Sequence, residues 1–63
     1  MSGDAQTLAE HIRRKRVSLG MSQQGLAAEL SVDSWTVSAW EMGKAMPRSW
    51  NRRKVFEWLN FDP

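Results

Sequence analysis

The fold is decided by residues 22–43, which read SQQGLAAELSVDSWTVSAWEMG. Apolar side chains recur at helical spacing on both sides of a polar break at residues 31–33; they are Leu26, Ala27, Leu30, Val37 and Trp40. This spacing predicts two short helices, over residues 23–30 and 34–41, joined by a tight turn. Helices joined so closely must cross at a steep angle, which is the geometry of a helix-turn-helix.

A longer helix precedes this pair. Thr7 is placed to act as its N-cap and Gly20 to end it, so the prediction is a helix over residues 7–19. One side of that helix is apolar, with Leu8, Ile12 and Leu19, and the other is basic, with Arg13, Arg14 and Lys15. Residues 1–6 lack periodicity and are expected to form a flexible N-terminal end.

A fourth helix is expected after Pro47, with Ser49 as its cap and Val55, Phe56 and Leu59 on its apolar side. The predicted caps of the two central helices are Ser22 and then Asp33 or Ser34. No alternating β-branched run occurs, so the predicted fold class is all-α. We expect one compact domain of four or five helices over residues 7–63.

The length and composition of the chain exclude several classes of protein. The chain has 63 residues, no cysteine and a net charge of +2. A chain this short buries too little surface for both a core and a walled active-site cavity, so we expect no enzyme, no cofactor and no small-molecule substrate. The absence of cysteine removes thiolate metal sites, and we expect no metal. Its longest aliphatic run, Leu26-Ala27-Ala28, is too short for a signal peptide or a membrane span, which favours a cytoplasmic protein without a membrane partner.

Two stretches of sequence around the helix pair match the pattern of a known protein family. Residues 16–23, RVSLGMSQ, lead from the first helix into the second, and residues 40–44, WEMGK, followed by Pro47, leave the third. Together they resemble the lambda-repressor-like helix-turn-helix family, which contains Cro, phage repressors and xenobiotic-response-element (XRE) regulators. The resemblance implies a prokaryotic or phage-encoded domain that binds double-stranded DNA and inserts its third helix into the major groove.

The resemblance also implies roles outside the third helix. Arg16 and Glu41 stand where family members pair an arginine with a glutamate to fix helix orientation. Gln23 matches a family glutamine that touches a DNA phosphate and braces the recognition helix, and a helix N-terminus suits an anion. Three basic residues are implied as further phosphate contacts, namely Lys44, Arg48 and Arg14, with Arg13 as an alternative on the first helix.

The outward face of the third helix is unusual. With Val37 and Trp40 turned inward, Trp35, Ala39 and Met42 point most directly away. The residues expected to face the groove or the bases are Ser34, Trp35, Ser38, Ala39 and Gln24. The family commonly places Arg, Gln or Asn on this helix face, and here no side chain of the helix is able to make a bidentate base contact. Trp35 is expected to reach thymine methyls or sugars, or else to anchor a protein partner.

Other positions depart from the family or need assignment. Ser31 stands in the turn where many members have glycine, and Gly25 stands where a glutamate would complete a capping box.

Trp40 is predicted to lie in the core. One of Trp50 and Trp58 is expected to cover the core, and the other to pair with a second copy together with Val55 and Phe61. His11, without partners at metal-ligand spacing, is interpreted as a surface residue.

Two functions fit these observations. The first is a small sequence-specific repressor that binds an operator as a homodimer through the helix over residues 34–41. The alternative is a protein-interaction module on the same scaffold, such as an antitoxin or a bridging factor, with Trp35, Met42 and Trp50 as its contacts. Salt dependence separates them, because phosphate-driven binding weakens steeply with ionic strength.

Overall fold

The protein is described by a computed structural model that covers residues 5–60. Four helices follow one another: α1 (Ala5–Ser18), α2 (Gln23–Leu30), α3 (Ser34–Glu41) and α4 (Ser49–Leu59). No strand occurs between residues 5 and 60. The all-α prediction with four or five helices is confirmed, and α2 and α3 have the bounds that the apolar spacing predicted.

The first helix differs from its prediction at both ends. It begins at Ala5, so Thr7 lies inside the helix and is not its N-cap. Ala5 and Gln6 are good helix formers, which explains the earlier start. Leu19 lies beyond the last residue of α1 and is 55% exposed, so its predicted place on the apolar side is wrong. Residues 1–4 of the expected flexible end lie outside the described residues.

Of the side-chain caps predicted for α2, α3 and α4, the structure forms the one at α2. Ser22 accepts a hydrogen bond from the amide of Gly25 at 2.9 Å, as expected for an N-cap. Asp33 occupies the N-cap position of α3, but its side chain makes no cap hydrogen bond. Ser49 is the first residue of α4 with a φ of 51°, and Arg48 takes the N-cap position without a side-chain hydrogen bond. Residue type alone therefore overestimated capping at α3 and α4.

Three of the helices end in the same hydrogen-bond pattern. A left-handed residue lies one or two positions after each helix end, at Gly20, Ser31 and Gly43, with φ of 71°, 60° and 73°. The following amide then donates to the carbonyl five residues back, from Met21 to Arg16, Val32 to Ala27 and Lys44 to Ala39, at 2.9 to 3.0 Å. These are Schellman closures. Ser31 takes a conformation that glycine adopts without a steric penalty, so this turn is strained.

The core receives one fully buried aliphatic side chain from each helix: Ile12, Leu26, Val37 and Val55. Around them lie the buried side chains of Leu8, Ala27, Leu30, Trp40 and Leu59. Helix α3 packs against α1 and α2, and α4 packs against the same two helices. The prediction that Trp40 is a core residue is confirmed.

Two lysines attach α4 to its neighbours. Lys54 on α4 donates to the carbonyl oxygen of Leu30, at the C-terminal end of α2, with 2.6 Å between the atoms. Lys15 on α1 donates to the carbonyl oxygen of Trp58 near the end of α4, and its Nζ lies 5.4 Å from the centroid of that indole. Each ammonium thus satisfies a carbonyl at the negative end of a helix dipole.

The assignment of the α4 tryptophans follows from this packing. Trp58 is half-buried against the core, while Trp50 is 76% exposed, so Trp58 is the tryptophan that covers the core. Val55 is fully buried, so the expectation that it helps to pair with a second copy is wrong. It faces the interior because α4 docks through the same stripe that carries Leu59. Phe61 lies outside the described residues.

Candidate nucleic-acid interface

Helix α3 has one face in the core and one in solvent. Val37 and Trp40 are buried, whereas Trp35 is 70% and Met42 60% exposed. Ala39, which was also predicted to point outward, is half-buried, and so are Ser34 and Ser38 on the flanks. The predicted outward direction of Trp35 and Met42 therefore agrees with the structure. We call the set Ser34, Trp35, Ser38, Ala39 and Met42 the α3 face.

The α3 face is poor in hydrogen-bonding groups. Its hydrogen-bonding groups are the single hydroxyls of Ser34 and Ser38 and the one indole N–H of Trp35. The half-buried Thr36, which was not among the expected groove residues, adds one more hydroxyl on a neighbouring side of the helix. No arginine, lysine, asparagine or glutamine occurs in α3. Gln24 is exposed in the first turn of α2 and brings the amide closest in sequence to this helix pair. The α3 face therefore presents mainly apolar surface to a binding partner.

A charged network fixes the far end of α3. Arg16 donates to both carboxylate oxygens of Glu41, from Nε to Oε2 at 2.6 Å and from Nη2 to Oε1 at 3.0 Å. Its Nη1 donates to the carbonyl oxygen of Met21 at 2.8 Å. The side chains are 14% and 4% exposed, so this is a mostly desolvated bidentate pair. The hydrogen bonds from Arg16 to Glu41 raise the pKa of the guanidinium above its usual value, although burial opposes this.

Gln23 joins the same network. Its side-chain amide nitrogen donates to Glu41 Oε1 at 3.1 Å. One carboxylate thereby ties the end of α3 to α1 through Arg16 and to the start of α2 through Gln23. The structure thus places Gln23 as a brace for α3, and the phosphate contact that the resemblance implies stays a prediction. Its amide has a second N–H, which is the group that remains to make that contact.

A basic loop lies between α3 and α4. Lys44, Arg48 and Arg52 line one surface depression together with Met46 and Pro47. All three cations are exposed, and within residues 5–60 none of them forms an ion pair with an acidic side chain. Such unneutralised positive charge is the usual footprint of a phosphate backbone. We call Lys44, Arg48 and Arg52 the basic loop cluster.

Arg52 is a site residue that sequence reasoning missed. The sequence points to Lys44 and Arg48 as phosphate contacts and gives Arg52 no such role. Its position four residues after Arg48, one helical turn into α4, was the available signal. Its guanidinium lies 5.1 Å from the ring centroid of Phe56, which holds the long side chain against α4.

The two arginines of α1 are placed differently. Arg14 pairs with Glu10 on the same helix at 3.7 Å, and both side chains are largely exposed. Arg13 lines a depression with Met42 and Gly43 at the end of α3. Of the two, Arg13 is therefore the neighbour of the α3 face, and the structure brings Arg14 into no contact with the predicted groove residues.

The described residues hold neither a cluster of metal ligands nor a helix that could span a membrane. Within residues 5–60, no group of three or more His, Cys, Asp or Glu side chains is arranged to hold a metal ion. His11 is half-buried on α1. None of the four helices is both long enough and apolar enough to cross a membrane, as judged over the described part of the chain.

The fold and the α3 face define a helix-turn-helix protein, and comparison with known families agrees. A helix-turn-helix family model matches residues 12–49. This match spans more than half of the chain, and the protein belongs to that family, which is of the XRE and lambda-repressor-like type. The family is one of DNA-binding domains, so double-stranded DNA is the partner that membership implies. Comparison with characterised proteins and with solved structures gives no further significant match.

Proposed function

We propose that this protein is a sequence-specific transcriptional repressor that inserts α3 into the major groove of an operator. The observation that carries the proposal is the exposed α3 face, fixed in orientation by Glu41 and followed directly by the basic loop cluster. A helix held in this way by core packing and a buried ion pair is preorganised, so little entropy is lost when it docks.

Contacts to the phosphates set affinity and register in this proposal. Lys44, Arg48 and Arg52 neutralise the backbone that borders the groove, and Gln23 donates its free N–H to a phosphate at the start of α2. Arg13 extends the contact from α1. Arg14, also expected to reach a phosphate, does so only by leaving its exposed pair with Glu10, which costs little.

Contacts to the bases come from the α3 face and Gln24. Trp35 and Ala39 supply apolar contact, and Ser34 and Ser38 supply single hydrogen bonds. Gln24, at the start of α2, is the one residue of this set with a bidentate side chain. Repression needs no further machinery, because a small domain seated on a promoter excludes polymerase.

The proposed assembly on DNA is a homodimer acting in the cytoplasm of a prokaryotic cell. Helix-turn-helix dimers bind two half-sites one helical turn apart, which doubles a small interface and makes the operator palindromic. Trp50, exposed on α4, is the large apolar side chain outside the α3 face best placed to contribute to such pairing.

Selection of bound sequences from random duplex DNA tests the function. We expect a palindromic consensus and an affinity for it that falls steeply with salt. A protein that selects no sequence, or whose binding to every duplex is equally weak, contradicts the proposal.

A second candidate has an observation of its own. Trp35, Met42 and Trp50 are each at least 60% exposed, and large exposed side chains of this kind anchor protein interfaces. In this case the chain is a protein-interaction module, such as an antitoxin or a bridging factor. Its complexes would resist salt, since an aromatic interface does not depend on counterion release.

A further inference from the structure

We infer that the α3 face selects base pairs by the C5-methyl group of their pyrimidines, with Trp35 as the residue that detects it. The inference rests on the proposed function and adds the chemical class of target. Thymine and 5-methylcytosine both carry this methyl group in the major groove, and uracil and cytosine lack it.

The first step is the absence of polar readers on α3. Discrimination by hydrogen bonds needs two donors or acceptors on one side chain, as in arginine with guanine or glutamine with adenine. The α3 face offers only the hydroxyls of Ser34 and Ser38 and the single indole N–H of Trp35. None of these side chains makes two hydrogen bonds to one base edge, so each can bind several different bases. The helix that enters the groove therefore reads little by hydrogen bonding.

An apolar stripe occupies the outward side of α3 in place of polar side chains that could identify a base. Trp35, Ala39 and Met42 follow one another at spacings of four and three residues, so they lie on one line along the helix. The line rises by about 10 Å, which corresponds to about three base-pair steps. Ala39, the small residue at its centre, lets the backbone of α3 approach the floor of the groove between the two long side chains.

The apolar stripe of α3 has one apolar group to contact on the base edges of the major groove. In the major groove the C5-methyl group is the apolar group that distinguishes one base pair from another. The indole of Trp35 is 70% exposed in the free protein, so covering it with a methyl group removes apolar surface from water on both partners. Burial of one methyl group corresponds to about a fourfold gain in affinity.

The test uses a duplex selected from random DNA, in which single base pairs under α3 are exchanged. At a methyl-dependent position, thymine–adenine and 5-methylcytosine–guanine pairs should bind alike. Uracil–adenine and cytosine–guanine pairs should both bind about fourfold more weakly. This four-way comparison separates the methyl group from the hydrogen-bonding pattern, because methylation changes the first and leaves the second unchanged.

Variants assign the effect to a residue. In Trp35→Ala the difference between thymine and uracil should disappear at one position in each half-site, while in Val17→Ala, which truncates an exposed apolar side chain on α1, it should persist. Circular dichroism and the thermal midpoint show whether Trp35→Ala is folded, and Trp35→Phe, which keeps an apolar ring, should retain part of the difference.

The outcomes are distinguishable. If a consensus is selected but uracil binds as well as thymine at every position under α3, the inference is wrong and the proposed function stands. If the thymine preference survives in Trp35→Ala, another residue detects the methyl group and the assignment to Trp35 is overturned. If no duplex is selected at all, the proposed function fails and the inference fails with it.

Discussion

Arg16 and Glu41 are joined by two parallel hydrogen bonds between α1 and the last residue of α3, at 2.6 and 3.0 Å. The carboxylate is almost fully buried and Gln23 donates to it as well. Glu41→Ala leaves the Arg16 guanidinium desolvated, without a counter-charge and with only the carbonyl oxygen of Met21 as a hydrogen-bond partner, so we expect a loss of about 2 to 4 kcal/mol in the free energy of unfolding. Denaturant titration measures it through the midpoint.

The matched control for this prediction is Glu10→Ala. It removes the exposed pair of Glu10 with Arg14, which should cost less than about 0.5 kcal/mol. Equal midpoints for Glu41→Ala and Glu10→Ala would show that the Arg16–Glu41 pair contributes no more than a surface ion pair.

Replacing Ser31 by glycine should stabilise the protein. Ser31 holds a φ of 60° in a Schellman closure whose counterparts, Gly20 and Gly43, are glycines. Ser31→Gly relieves the left-handed strain, and we expect a gain of about 0.5 to 1 kcal/mol, since the extra freedom of glycine in the unfolded chain offsets part of it. Thermal or denaturant unfolding gives the value.

Ala28→Gly is the control on the same helix. Ala28 is exposed and helical, so glycine there should destabilise the protein by about 1 kcal/mol. A drop in stability in both variants would mean that Ser31 is not strained in solution.

The basic loop cluster should govern the salt dependence of DNA binding. Changing Lys44, Arg48 or Arg52 to Gln should weaken binding to all duplexes alike and reduce the slope of log affinity against log salt by about 0.9 for each phosphate that the variant no longer neutralises. Arg53→Gln is the charge-matched control, because Arg53 lies 4.0 Å from Glu57 and does not line this depression. A variant that changes sequence preference but keeps the slope would place its residue in the groove.

The environments of Trp35 and Trp40 should differ in fluorescence. With the other three tryptophans replaced by Phe, Trp35 should emit as a solvent-exposed indole and respond to operator DNA, whereas Trp40, 3% exposed, should emit at shorter wavelength and not respond. In the otherwise unchanged protein, Trp40→Ala should cost about 3 to 5 kcal/mol and Trp35→Ala almost nothing. Trp35 emission that ignores DNA but changes with protein concentration would favour the protein-interaction module.

The helices were predictable where apolar spacing and glycine agree. Leu26, Leu30, Val37 and Trp40 predicted α2 and α3 because a short helix can bury only one face, and that face must be apolar. The end of α1 was less predictable. Leu19 is apolar, but it lies in the turn between the end of α1 and Gly20, where its side chain is exposed. Capping at Asp33 and Ser49 failed because it depends on side-chain rotamers and local φ, which the residue type does not specify.

Some residues of the candidate site were predictable from the sequence and others were not. The direction of Trp35 and Met42 followed from helical geometry, and the Arg16–Glu41 contact followed from the family resemblance. Arg13 was named only as an alternative to Arg14, and Arg52 was missed although it follows Arg48 by one helical turn. The nearness of Arg13 to the end of α3 and of Arg52 to the loop depends on how α1 and α4 pack. The shared hydrogen-bond acceptor of Gln23 and Arg16 likewise required coordinates, since the two residues reach Glu41 from different helices.

The two faces of α3 have separate tasks, and this separation makes the specificity of the protein easy to change. Val37, Trp40 and Glu41 hold the helix in place, while the α3 face contributes almost nothing to the core. For the proposed function, substitutions on that face should therefore change the DNA sequence that is bound without unfolding the domain. For the same reason, the α3 face of another helix-turn-helix protein should be transplantable onto this scaffold as a set of five substitutions.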